Sequence, residues 1–156
     1  MLRFTEGDNR LNIRSVSLVI QDGCLLVHRD ASEDFWSLPG GRVEFFESSQ
    51  ETVVREMQEE LGWSATAGGL QFYVENFFQY NHRRYHEIST YYPLTLDPQP
   101  DVKPSQPFNG IETDCDLVFM WVPIEDLPSL HLLPAFLKDR LQRPLDGTEY
   151  LVVNEL

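Results

Sequence analysis

The sequence predicts an α/β domain, and three observations predict it. Strand-like segments occur on both sides of the chain's midpoint, a two-residue Asp-Gly turn joins one pair of them, and one well-capped amphipathic helix lies between. A length of 156 residues suits a single domain spanning 1–156 around one core.

Asn12–Ile20 opens with alternation and closes apolar, the pattern of a strand that becomes buried. Asp22-Gly23 is a favoured hairpin turn, and Cys24–His28 runs back from it as a second strand. Asp30–Asp34 reads as a loop. Trp36-Ser37-Leu38-Pro39-Gly40-Gly41 predicts a sharply turned segment, since proline fixes φ and the glycines accept positive φ. The clearest helix starts near Ser48. Ser48 and Glu51 match the capping box, Val53, Val54, Met57 and Leu61 share one face, and Gly62 stands where a C-terminal cap belongs.

Leu70–Gln79 and Tyr85–Leu96 read as an antiparallel pair around a turn at Asn81-His82-Arg83. Asp97–Thr113 carries Pro98, Pro100, Pro104 and Pro107 and reads as a long irregular loop inserted within the domain, with an expected influence on substrate preference. Leu117–Val122 is a strand, Pro134–Gln142 a second helix, and Thr148–Val153 a last edge strand. The aromatic segment Phe72–Tyr80 is expected to be exposed and to offer a homodimer interface.

Composition narrows the function. The chain is 42% hydrophobic and 24% charged, which excludes global disorder. Its longest apolar runs, such as Leu117–Pro123, are too short to span a bilayer, and the N-terminus turns polar at once, so the chain reads as cytoplasmic. Cys24 and Cys115 lie far apart beside apolar runs and read as reduced, structural thiols. Twenty-five acidic residues against 12 basic ones give a net charge of −13. Such a chain repels nucleic acid polymers and anionic membranes. A polyphosphate ligand would need a divalent cation between it and the protein.

The helix supplies residues for that cation. At about 100° per residue, Glu56, Glu59 and Glu60 fall within one arc at the border of the apolar face. Like charges so placed repel one another. A solvated acidic face is one reading of them. Neutralisation by a hard cation such as Mg²⁺, which takes oxygen ligands and shares them with substrate phosphates, is the other.

From Gly41 to Trp63 the chain reads GRVEFFESSQETVVREMQEELGW. Gly41 is followed by five residues and Glu47, then by seven residues and Arg55-Glu56. An apolar Met57, Glu59-Glu60, Gly62 and apolar Trp63 complete the pattern. Every fixed position of the Nudix box is matched, after a hairpin and a Leu-Pro-Gly-Gly turn, so the chain resembles the Nudix superfamily. Phe46 and Thr52 depart from the residues common in that family, glycine and alanine respectively, and neither is a metal or charge position.

The resemblance implies a Nudix-type α/β/α sandwich around a mixed β-sheet. It implies Mg²⁺, with Mn²⁺ as a substitute, held by Glu59, Glu60, Glu56 and the Gly40 carbonyl, with Glu56 a ligand or water activator. It further implies an Arg55–Glu47 pair that holds loop to helix. Arg29 and Arg42 are similar to positions that face substrate phosphate. Glu112, Asp114, Asp116 and Glu87 are the acids outside the box that could serve as general base, while His28 and His86 show no ligand spacing. The implied activity is Mg-dependent hydrolysis of a diphosphate bond in a small nucleoside diphosphate derivative, an NTP, ADP-ribose or similar, releasing a monophosphate. The alternative is a catalytically inactive nucleotide-binding or protein-interaction module on the same fold. The intact set of box carboxylates favours catalysis.

Overall fold

Strands apolar on both faces require cover on both sides, and that requirement organises this chain. The computed structural model describes all residues from Met1 to Leu156. In chain order the strands β1 (Arg3–Glu6), β2 (Asn9–Leu18), β3 (Ile20–Gln21), β4 (Cys24–Asp30) and β5 (Gly40–Arg42) precede helix α1 (Ser49–Leu61). Then follow β6 (Ala65–Ala67), β7 (Phe72–Tyr80), β8 (Arg83–Leu96), β9 (Phe108–Asn109) and β10 (Leu117–Pro123). A 3-10 helix (Ile124–Ser129), a short α2 (Phe136–Arg140) and β11 (Glu149–Asn154) complete the chain.

The larger sheet runs β1-β2-β8-β7-β11, with β5 paired to β2 and β6 to β8. It is mixed: β2 lies parallel to β8 and β11 parallel to β7, while β7 and β8 form an antiparallel hairpin. The second sheet, β3-β4-β10-β9, is antiparallel. Successive side chains of a strand point to opposite faces, so single strands feed two cores. On β4, Leu25 and Val27 join one core and Cys24 and Leu26 the other. On β8, Tyr91 and Tyr92 divide the same way. One core is closed by Leu127, Leu137 and Leu141 from the 3-10 helix and α2, the other by Val53, Met57 and Leu61 of α1. The result is an α/β/α sandwich. No helix is long and apolar enough to cross a membrane.

Two hairpins use the same turn chemistry. Asp22 and Gly23 have φ of 52° and 73° between the paired residues Gln21 and Cys24, and Asn81 and His82 have 48° and 65° between Tyr80 and Arg83. Two successive positive φ values match the right-handed twist of the strands. Arg83, expected in the second turn, is therefore the first residue of β8.

Other expectations change for identifiable reasons. The Trp36–Gly41 segment is extended rather than sharply turned. Ser37 exchanges backbone hydrogen bonds of 2.8 Å with His28, and Gly40–Arg42 pair with β2. The glycines are needed for close approach: a Cβ on Gly40 would lie 2.2 Å from the Ser15 carbonyl oxygen, and one on Gly41 2.4 Å from the Glu56 carboxylate. The Phe72–Tyr80 strand is not an exposed edge. It pairs with β8 and β11 on its two sides, and Phe72 and Val74 are fully buried, leaving β1 and β11 as the free edges. The Pro-rich 97–113 segment is irregular but fastened. Asp97 N–H donates to the Ser64 carbonyl at 3.0 Å, Ser105 N–H to that of Trp121 at 2.7 Å, and Phe108 stacks on Phe119. The second helix is shorter than Pro134–Gln142. The strands β1 and β6 and the 3-10 helix have no counterpart in the sequence-based reading.

Helix α1 carries the residues of interest, and its ends are well fixed. The Ser48 side chain accepts from the Glu51 N–H, Glu51 reaches back to the Ser48 N–H, and Gly62 caps the far end with φ of 70°. The fully buried Ser15 donates from its hydroxyl to the Ser49 carbonyl at 2.6 Å, pinning the first turn of α1 to β2. Ser48→Ala should cost about 1 kcal/mol of unfolding free energy, measurable by urea denaturation. Unchanged stability would show that the capping box does not hold this helix.

Candidate metal and active site

The loop between β5 and α1 must be held against the helix, and one arginine does it. Arg55 donates to both oxygens of Glu47, from Nε at 2.7 Å and from Nη2 at 3.0 Å. It also donates to the Arg42 carbonyl at 3.3 Å, to Glu56 at 2.9 Å and to Glu59 at 3.2 Å. Glu47 further accepts from the Thr52 hydroxyl at 2.8 Å. These bonds, the Arg55 guanidinium foremost, pull the Glu47 carboxyl down to about 2. The same partner pushes Arg55 further above its already high range.

The acidic residues of α1 divide between two environments. Carboxylate oxygens of Glu56, Glu59 and Glu112 lie within 4.8 Å of one another. Glu112 comes from outside the helix, and its position has a local cause. Ile111 N–H donates to the Glu60 carbonyl at 2.8 Å, satisfying one of the orphan acceptors in the last turn of α1 and placing the next residue beside the helix. Asp114 and Asp116 do not join this group, and Glu87 lies on β8 elsewhere.

Glu60 turns inward instead. It is 6% exposed and lies next to Glu56. Burial, with the neighbouring Glu56 charge next in importance, pushes its carboxyl up to about 9. Glu56 is raised as well, by burial first, against the opposing pull of Arg55. Behind Glu60 sits His28, with Nδ1 at 4.0 Å from Oε2, and neither atom has a hydrogen-bond partner. Burial and the nearby Arg14 hold His28 down at about 3. With His28 neutral, this contact is not an ion pair.

The chemistry fits a hard divalent cation. All donors are oxygens, three carboxylates converge from two chain segments, and a fourth stands behind them with an unpartnered oxygen. Gly40 is buried in β5, and Gly41 beside it leaves the space that the Glu56 carboxylate fills.

A cavity of about 560 Å³ opens on the β2-β8-β7 surface and reaches His28. Arg29 and Arg42 both line it, as do Arg3 and Arg14. Arg29 is partly committed to the loop after β4: it donates to the carbonyls of Ala31 at 3.2 Å and Glu33 at 3.0 Å and lies over the Trp36 ring. No residue of 97–113 lines the cavity, while its Glu112 stands beside Glu56 and Glu59. Sequence reasoning missed Arg14 and set His28 aside. Their alternation with core residues on β2 and β4 was the available signal.

Because Glu47 sits at about 2 in the fold against 4.5 when free, its ionisation stabilises the fold above the free value. That contribution is lost as pH falls through 4.5 toward 2. Glu47→Gln should therefore destabilise the protein by about 1.5–3 kcal/mol near neutral pH. The gap between the two urea curves should narrow toward the acid end of that window. A gap independent of pH would contradict the assignment.

Comparison with known proteins places this geometry. The NUDIX domain model matches residues 10–143. The chain is 43% identical over 56 residues to the CTP pyrophosphohydrolase of Escherichia coli, covering 33% of this chain and 42% of that protein. It spans between about a third and a half of the length of the curated relatives it matches. Among solved structures it is similar to a MutT NUDIX hydrolase from Burkholderia pseudomallei, with TM-score 0.61 and 21% identity over 85% of this chain and 96% of that one. An ADP-ribose pyrophosphatase from Streptococcus suis superposes with TM-score 0.54 and 16% identity, over 90% and 98% of the two chains. The box at Gly41–Trp63, the sandwich that presents it and the match over most of the chain agree, and the protein belongs to the NUDIX family.

Proposed function

We propose that the protein hydrolyses a diphosphate bond in a small nucleoside diphosphate derivative, an NTP, ADP-ribose or similar, and releases a monophosphate. The convergence of Glu56, Glu59 and Glu112 oxygens within 4.8 Å carries this reading, and a cavity of about 560 Å³ that reaches His28, 4.0 Å from Glu60, supports it. Glu56 and Glu59 of the helix, Glu112 of the loop between β9 and β10, Glu60 and the Gly40 carbonyl would hold Mg²⁺, or Mn²⁺ in its place. A bound divalent cation supplies charge neutralisation and orientation of the phosphate oxygens.

The chain's own groups do the rest. Arg55 keeps Glu56 and Glu59 in place while Glu47 keeps Arg55 in place. Glu112 accepts only from the Cys115 thiol, at 3.2 Å, and so has free lone pairs. It is the carboxylate assigned to take the proton of the attacking water, a form of help worth about 10²–10⁴-fold. Arg29 and Arg42 face the substrate phosphates from the cavity wall. On this reading the protein is a cytoplasmic enzyme acting on a small molecule, folded as one domain over 1–156 with 97–113 as an insertion. A homodimer would form through the free strand edges β1 or β11 rather than through β7.

Glu59 is half-exposed, so its replacement spares the core. Glu59→Gln should lower kcat by roughly 10²–10⁴-fold, with an unchanged circular dichroism spectrum. The assay would follow monophosphate release from a panel of nucleoside diphosphate derivatives with Mg²⁺ and Mn²⁺. Wild-type turnover in the purified variant would reject the assigned role.

A further inference from the structure

The chain has only 12 basic residues, yet four of them, Arg3, Arg14, Arg29 and Arg42, line one cavity, together with the acids Asp30, Glu33, Glu87 and Glu155. Three of the arginines stand together on adjoining strands. Arg14 of β2 is directly opposite Arg42 of β5, and Arg3 of β1 is opposite Asn12, two residues before Arg14 on the same strand face. Like charges in direct cross-strand register are unfavourable.

None of the three is held in an ion pair. The chain carries 25 acidic residues, but no carboxylate lies within 4.0 Å of Arg3, Arg14 or Arg42. Their recorded bonds go to neutral acceptors: the Asn12 amide oxygen at 3.1 Å, the Leu38 carbonyl at 3.1 Å and the Met1 sulfur at 2.7 Å. A guanidinium has five N–H donors, so most of them remain free. One carboxylate stands near them: Glu87 of β8 is in register with Asn12 of β2 and accepts from its Nδ2 at 3.5 Å. Three guanidinium groups against one carboxylate leave this end of the cavity with net positive charge, which favours an anion.

We propose that Arg3, Arg14 and Arg42 form an anion subsite that takes a phosphate group of the substrate beyond the bond that is cut. Substrates carrying that additional phosphate, nucleoside triphosphates among them, are then preferred over a diphosphate joined to an uncharged sugar. The preference rests on the hydrolytic function proposed above; the anion subsite itself does not.

Binding without metal separates the two. Inorganic tripolyphosphate titrated calorimetrically into the full chain in excess EDTA should bind saturably. The Arg14→Gln/Arg42→Gln variant should bind at least about 10-fold more weakly, as expected for lost charge-assisted hydrogen bonds. Arg143→Gln, an exposed cation outside the cavity, should bind as wild type does. Arg3 is exposed, so Arg3→Gln keeps the fold and gives a second reading should the double variant unfold; its binding should weaken too. Failure of the wild type to bind, or equal weakening in Arg143→Gln, would overturn the subsite. In turnover, the ratio of kcat/KM for a nucleoside triphosphate over a nucleoside diphosphate sugar should fall about 10-fold in the double variant; an unaltered ratio also overturns it. Metal-free binding with no hydrolysis of any substrate would keep the subsite and reject the catalytic reading.

Discussion

One cation stands among the acids of α1, and the site depends on it. Carboxylates that are to share a metal must be close before the metal arrives, and closeness alone drives them apart. Arg55 resolves the conflict by bonding Glu47, Glu56 and Glu59 at once. The same guanidinium ties the loop after β5 to the helix through the Arg42 carbonyl. A lysine would supply the charge but not the planar fork that reaches several acceptors together. Glu60 is handled by different means: it is buried behind the group, where desolvation pushes its carboxyl up.

The sandwich sets this acidic group near a cavity that reaches His28 and gathers four arginines on its wall. Residues of β2 alternate between the core and the cavity, so Asn12 and Arg14 face the open space while Ser15 reaches the start of α1. His28 and Glu60 lie at the boundary, both buried. On the proposed reading a polyphosphate would contact a cation held by the carboxylates on one side and guanidinium groups on the other.

Local chemistry was legible in the sequence wherever it was strong. The α1 helix appears with both caps where Ser48, Glu51 and Gly62 place them, and Asp22-Gly23 turns as its residue types require. Glu47 and Arg55 pair as the box implies. What the sequence concealed was set by tertiary neighbours. Glu60 and Glu59 are adjacent and chemically identical, yet one is buried and the other half-exposed, because only one faces the core between α1 and β4. Gly40 and Gly41 resemble turn residues, but they serve close packing against Ser15 and Glu56. Glu112 could not be told from Asp114 or Asp116 until the Ile111–Glu60 hydrogen bond selected it. The aromatic β7 reads as exposed because its cover, β11, is distant in sequence and parallel to it.

The most direct measurement is anomalous diffraction from crystals soaked in Mn²⁺. The account predicts density between the carboxylates of Glu56, Glu59 and Glu112, with Arg55 drawn back toward Glu47. Crystals without manganese at that position, their carboxylates still bonded to Arg55, would contradict it.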